Sequence, residues 1–178
     1  MPVVRILSAV EADLLIVKYL GDTPRAAHSR FVALIMRKLA KNFSAPADLW
    51  EVVGLCHDLD FFHVSGDWSQ HGLMTVKWLA DRIPVEAQDA IAAHDHRTGI
   101  EADTLLADML KTADAIAIID EKLGRAAFRG AELATPYAAL RRQLGHRSYL
   151  CDMLERYSGK HALSFKRIAE IVATAPAQ

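Results

Sequence analysis

Val52-Val53-Gly54-Leu55-Cys56-His57-Asp58-Leu59-Asp60 is the stretch on which the fold turns. Read back to Ala47, it forms a segment apolar almost all round, with Leu49, Trp50, Val52, Val53, Leu55, Cys56 and Leu59 leaving no polar face. A helix apolar on every side belongs at the centre of a helical protein. The pattern predicts this helix from about Ala47 to Phe61, after a break at Ser44-Ala45-Pro46. His57 and Asp58 stand at its C-terminal end. An imidazole beside a carboxylate suits Zn, Mn or Fe, which accept mixed nitrogen and oxygen ligands. The same dipeptide also arises by chance as a structural pair.

Outward from this helix the pattern stays helical, without strand-like alternation. Upstream, a helix is expected from about Val3 to Leu20, stopping at Gly21. Thr23-Pro24 then offers an N-cap and a proline at the first helical position of a second helix, which runs to about Asn42. Downstream lies a polar loop, Val64 to Gln70, then helices from about His71 to Arg82, Pro84 to His96 and Asp103 to Leu123. The remainder reads as two or three helices broken near Gly130, Gly145 and Gly159. No internal repeat or linker divides the chain, so one all-α domain over residues 1–178 is expected.

Composition excludes several classes. The 178 residues carry 21 Lys plus Arg and 22 Asp plus Glu, a net charge of −1, which argues against a polyanion-binding arm. No clear nucleic-acid surface is read. No apolar run approaches the ~18 residues of a membrane span. The N-terminus lacks the basic-then-apolar pattern of a signal peptide. Two cysteines, Cys56 and Cys151, make neither a disulfide scaffold nor a CxxC site, and a reduced, cytoplasmic setting is the expectation. Charge is uneven: residues 1–120 carry 11 basic and 17 acidic side chains (−6), residues 121–178 carry 10 and 5 (+5). The C-terminal part is therefore either an anion-attracting wall or a set of ordinary solvated faces.

Three features do not belong where the pattern puts them. Asp114 shares a helical face with Leu110, Ala117 and Ile118, and a buried carboxylate needs an Arg, a Lys or a metal. His28 falls on the face of Val32, Ile35 and Leu39, where a lone histidine is ordinarily a satisfied core residue. His57-Asp58 is the third. Three helices thus each send a metal-competent side chain inward, and one shared cation accounts for them together. Two more histidines lie between, His71 after the polar loop and His94 in line with Ala87 and Ile91. They could complete a second site with Asp58 bridging, and two ions ~3.5–4 Å apart can polarise an oxygen and activate a water.

In this order of residues the chain resembles the HD-domain superfamily of metal-dependent phosphohydrolases. Gly54-Leu55-Cys56-His57-Asp58-Leu59-Asp60 is similar to its apolar-His-Asp-apolar motif, His71-Gly72 to its His-Pro or His-Gly helix start, and Ala113-Asp114-Ala115 to its closing Ala-Asp. The likeness runs from His28 to about Asp120. It implies an HD-type helical bundle with a core over about 24–120 and extra C-terminal helices over about 121–178. It further implies that His28, His57, Asp58 and Asp114 bind one ion, and that His71 and His94 join Asp58 on a second. One or two divalent ions per chain are expected, iron or manganese foremost, with zinc, nickel and magnesium admissible.

The implied reaction is hydrolysis of a phosphate ester of a nucleotide or other small phosphometabolite by a metal-bound hydroxide. Asp58 would bridge and fix the ions, and Lys111, one turn before Asp114, would meet the phosphate; these two are the candidate catalytic residues. His96 and Arg97 could reach substrate, Asp60 could orient a ligand histidine or cap locally, and the loop Ser65 to Gln70 with Trp68 could cover the pocket. Cys56 is not read as a nucleophile, because it lies in an apolar helix without a base. Two departures bear on the reaction. Leu59-Asp60-Phe61 stands where many members carry a phosphate-meeting Gly-Lys, and His94-Asp95-His96-Arg97-Thr98-Gly99 lacks the Gly-Tyr-Pro of cyclic dinucleotide hydrolases. The alternative is an HD-type di-iron oxygenase cleaving a C–C or C–P bond with O2; a third reading is a binding module. A homo-oligomer is compatible with all three.

Overall fold

The structure, a computed structural model, describes residues 5–176. Nine α-helices and no strand occur among the described residues, in keeping with the all-α expectation. They are α1 (Ala9–Leu20), α2 (Pro24–Asn42), α3 (Ala47–Cys56), α4 (Leu73–Leu79), α5 (Val85–Ala92), α6 (Leu105–Leu123), α7 (Pro136–Leu144), α8 (Tyr149–Lys160) and α9 (Phe165–Ala173). Short 3-10 stretches cover Trp68–Gln70, His96–Thr98, Arg125–Glu132 and Gly145–Arg147.

Helices α2, α3 and α6 form the centre. α3 packs extensively on α2, α6 packs on α2, α5 and α8, and α9 rests on the Arg125–Glu132 stretch and on α2. Ile35, Met36, Leu39, Val53, Met109, Leu110 and Ile116 are fully or almost fully buried between them. Gly54 sets the spacing of α2 and α3. A Cβ there would stand 2.6 Å from Ala33 Cα, so only glycine lets the two backbones touch. That contact brings the end of α3 up against the second turn of α2.

The helix starts follow from their caps. Thr23 Oγ1 accepts from the Ala26 amide and Pro24 opens α2, as Thr23-Pro24 indicated. α1 begins at Ala9 rather than near Val3, because Ser8 and Glu11 close a capping box: Ser8 Oγ accepts from the Glu11 amide and Glu11 Oε2 from the Ser8 amide. Val3 and Val4 lie outside the described residues. α6 begins at Leu105, with Thr104 accepting from the Ala107 amide.

Several expected helices are shorter than the periodicity suggested. α3 stops at Cys56, not near Phe61. The His57 ring donates to the Gly54 carbonyl, and the chain runs on in tight turns through Leu59 N to Cys56 O and Phe61 N to Asp58 O. α4 starts at Leu73 because Gly72 has a positive φ of 81°, leaving His71 in the preceding turn. α5 ends at Ala92, with His94 in the turn that follows. In the C-terminal part, Gly145 ends α7, whereas Gly130 lies inside a 3-10 stretch and Gly159 inside α8; the chain turns instead at Ala162, where φ is 54°. Apolar periodicity continues past the ends of α3 and α5 and ahead of α4 because the adjoining turns, at residues 57–60, at His94 and at His71, are as buried as the helices.

Candidate metal centre

Five segments meet between α2, α3 and α6. His28 comes from the second turn of α2 and Asp114 from the middle of α6. His57 and Asp58 come from the turn after α3, His71 from the turn before α4 and His94 from the turn after α5. All four histidines and Asp58 are at most 3% exposed. The Asp114 side chain retains 17% exposure, at the lip of the site. Gly72 is needed here for a second reason: a Cβ would lie 2.5 Å from the Ile91 carbonyl and 3.2 Å from His94 Nδ1.

Each imidazole is fixed through Nδ1 and turns Nε2 inward. His57 Nδ1 donates to Gly54 O at 2.8 Å and His94 Nδ1 to Ile91 O at 2.7 Å. A carbonyl oxygen can only accept, so these two Nδ1 atoms carry the proton and, in neutral rings, Nε2 keeps its lone pair. His28 Nδ1 bonds Glu121 Oε1 at 2.6 Å and His71 Nδ1 bonds Asp60 Oδ1 at 2.7 Å. The four Nε2 atoms then face two carboxylates. His28 lies 2.9 Å from Asp114 Oδ1 and 3.7 Å from Asp58 Oδ2; His57 lies 3.3 Å from Asp58 Oδ2 and 3.8 Å from Asp114 Oδ1. His71 and His94 lie 3.0 and 3.5 Å from Asp58 Oδ1.

His57 Nε2 is the decisive atom. It is buried without a hydrogen-bond partner, its lone pair set against carboxylate oxygens. Lone pair against anion is repulsive, and the arrangement fits a cation lodged among them. Outer hydrogen bonds to carbonyls and carboxylates that fix the inward nitrogen are what metal-ligating histidines ordinarily show. Two sets offer ligand atoms all within 4.8 Å of one another: His28, His57 and Asp114, and His57, Asp58 and His94. His71 is outside both sets and reaches the centre through Asp58 Oδ1.

Without a metal, protons serve as the cations. Burial opposes charge on His28, but its bonds to Asp114 and Glu121 outweigh that and raise its pKa to about 9. Burial likewise opposes charge on His71, and Asp58 and Asp60 raise it to about 10. Burial resists ionisation of Asp58 and Asp114, yet the facing imidazoles hold both below the usual carboxylate range, Asp58 the more strongly. Both carboxylates are thereby kept ionised as ligands must be.

Sequence reasoning missed Arg25 and Glu121. Arg25 Nη1 donates to Asp58 Oδ2 at 2.9 Å, and its guanidinium lies 4.0 Å from the centre of the Phe61 ring. Arg25 stands one turn before His28, which is the signal that could have found it. Glu121 follows Asp114 by two turns of α6 and was likewise findable by helical spacing. Asp60 does both things considered for it, accepting from His71 and from the Thr75 amide that opens α4. Lys111 does not join the cluster; it lines an adjoining cavity that His94 also lines. Arg97 is paired with Asp95 and stacked 4.2 Å over Trp68, which itself packs on Phe61 and His71. The Trp68 loop therefore abuts the site. Cys56 is fully buried, and burial pushes its thiol up to about 12, which accords with its dismissal as a nucleophile.

The fold and this cluster define a helical protein with a buried His/Asp cluster compatible with a divalent metal. A family model described as HD domain matches residues 25–119, and the chain belongs to that family, which is in general one of metal-dependent phosphohydrolases. No curated protein and no solved structure matches the chain. No helix among the described residues is long and apolar enough to cross a membrane.

Proposed function

We propose that this protein is a metal-dependent phosphohydrolase acting on the phosphate ester of a nucleotide or other small phosphometabolite. The observation that carries the reading is the unpartnered Nε2 of His57, aimed with three other Nε2 atoms at Asp58 and Asp114. His28, His57, Asp58 and Asp114 would hold one divalent ion; His71 and His94, with Asp58 shared, would hold a second. Bound there, the metal would activate a water for attack on phosphorus and offset charge on the phosphoryl oxygens.

The chain's own side chains supply the rest. Glu121, Asp60 and the carbonyls of Gly54 and Ile91 orient the four imidazoles. Arg25 offers a guanidinium to a phosphoryl oxygen once a metal relieves it of neutralising Asp58. Arg97, braced by Asp95 and Trp68, lines the cavity at the open side of Asp114. The Trp68 loop shields His71 from water. Soluble, cytoplasmic action on a small diffusible substrate accords with the absence of a membrane-length apolar helix among the described residues, and this too is a proposal.

One specific observation favours a second reading. Four imidazoles and two carboxylates form a nitrogen-rich donor set well matched to iron, as an HD-type di-iron oxygenase requires. The two readings separate by experiment. Untagged protein purified without chelator is analysed for metal, then assayed for phosphate release from a panel of phosphomonoesters and for oxygen uptake. One or two divalent ions per chain, with phosphate release that chelation abolishes, is the expected result. Two irons with oxygen uptake and no phosphate release would move the assignment to the oxygenase. Absence of metal binding after reconstitution would overturn both.

A further inference from the structure

Two cavities open beside the cluster. One, of about 230 Å³, is lined by Asp114, His94 and Arg97; the other, of about 410 Å³, by Lys111, Arg156 and Tyr157. They share His94, His96, Tyr149 and Met153 as lining, so they form one cleft running from the metal end to Lys111. One wall of this cleft is α8, which lies outside the residues 25–119 that the family model matches.

The distal end is a cationic pocket whose two cations make no direct ion pair among the described residues, although the Asp103 carboxylate acts on Lys111 at longer range. Lys111 is only 8% exposed, and among the described residues it makes no ion pair or hydrogen bond; its partner is the Tyr157 ring, 4.7 Å from Nζ. Arg156, 5.4 Å from the same ring, also makes no ion pair among the described residues. Lys160, the third cation at this ring, is taken by Asp103 and Asp108. Glu101 lies in the lining, exposed, and pairs with neither free cation. A nearly buried ammonium gains from a direct counter-charge, and an anion entering the cleft supplies one.

We infer that Lys111 and Arg156, on the wall completed by α8, form a subsite for a second anionic group of the substrate, separated along the cleft from the group that reacts beside Asp114. The substrate class is then an organic phosphate carrying a further phosphate or carboxylate, with an apolar or flat middle passing Tyr149 and Met153. The inference rests on the phosphohydrolase reading for the identity of the reacting end only. It reassigns Lys111 from the reacting phosphate to the distal group.

The test is calorimetric. Chelator-stripped protein is titrated with propyl phosphate; saturable binding is expected, weakened about 10-fold or more in Lys111→Met and in Arg156→Gln, because each loses a charge-assisted contact. Arg156 is exposed, so its variant folds even if the Lys111 variant does not. Protein reloaded with Mn²⁺ is then titrated with α,ω-alkane bisphosphates and ω-carboxyalkyl phosphates of two to six carbons. At least one length should bind about 10-fold tighter than propyl phosphate, and the advantage should shrink to under about 2-fold in Arg156→Gln. The two series distinguish a distal phosphate from a carboxylate. No binding to stripped protein, no advantage at any length, or an advantage that survives both substitutions overturns the subsite. If binding behaves as expected but no phosphate ester is hydrolysed, the reaction reading falls and the subsite stands. Hydrolysis of simple monoesters without any distal preference gives the reverse.

Discussion

Helix α6 carries Asp108, buried, and Asp114, with 17% of its side chain exposed, six residues apart, and the protein treats them in opposite ways. Asp108 is met by the Lys160 ammonium, with Nζ at 3.1 Å, and by His161 Nε2 at 2.8 Å, both at the C-terminal end of α8. Asp114 meets His28 and His57 at 2.9 and 3.8 Å, and among the described residues no lysine or arginine pairs with it. A buried carboxylate must have a counter-charge. At Asp108 the chain brings its own, and the result clasps α8 to α6. At Asp114 the chain brings imidazole nitrogens and dissociable protons, an arrangement compatible with a cation from outside. Burial of an acidic residue therefore does not identify a metal centre; the nature of what faces it does.

The sharpest way to break this comparison is to neutralise Asp114. Asp114→Asn, or Asp58→Asn, should lower metal affinity by more than about 100-fold, beyond the loss typical of outer partners. Phosphate release should fall with it. Elemental analysis after dialysis reads the first and a release assay the second. Full metal occupancy in either variant would mean that the cluster is a proton-bridged core network like any other.

Next in size are the side chains behind the histidines. Glu121→Gln and Asp60→Asn keep shape and remove charge from the partners of His28 and His71. Each should weaken metal binding about 10- to 100-fold while leaving the fold intact, read by competition with a chromogenic chelator. Asp60→Asn has the further effect of loosening the first turn of α4, since the same carboxylate accepts from the Thr75 amide. Glu121→Gln has no such second task, so the pair separates tuning of the metal from support of a turn.

How much of this was legible depends on where the information lies along the chain. Thr23-Pro24 gave the start of α2 because capping is local. The all-round apolar Ala47–Cys56 segment announced a central helix. The ends of α3 and α5 and the start of α4 were not legible, because buried turns keep an apolar pattern while a ring-to-carbonyl bond or a positive-φ glycine ends the helix. Those turns are where His57, Asp58, His71 and His94 sit. Inward placement of His28 was legible from its face, and its approach to Asp114 was suggested by shared need for a cation. Arg25 and Glu121 were overlooked although each is a whole number of turns from a named residue. Neither the Lys160–His161 clasp on Asp108 nor the α8 wall beyond Lys111 could be read, since both join residues some fifty or forty positions apart by tertiary packing alone.

A smaller effect concerns protons. In metal-free protein His28 and His71 are raised from 6.5 to about 9 and about 10. A raised folded-state pKa stabilises the fold fully below the unfolded value near 6.5 and loses that contribution as pH climbs through 9 to 10. Metal-free protein should therefore lose thermal stability progressively from about pH 6.5 to 10, while metal-loaded protein, whose ligand histidines are neutral, should not follow that trend. At pH 7.5, loading should expel about two protons per chain, measured by calorimetry in buffers of different ionisation enthalpy. No proton release would show that His28 and His71 do not exchange protons for metal.

Asp108→Asn should have the least effect on metal and so completes the contrast. Lys160 is 42% exposed on its side chain and His161 26%, so both can turn to water when the carboxylate is gone. The penalty for breaking a buried pair is much reduced by that exposure and by solvent screening, so only a modest loss of stability is expected. Metal stoichiometry should be unchanged, because no atom of this clasp touches the cluster. Denaturant unfolding and elemental analysis on one preparation give both quantities. Loss of metal in this variant would mean that α8 must be clasped for the centre to form, and the two aspartates of α6 would then be one linked system rather than two independent answers to the same electrostatic demand.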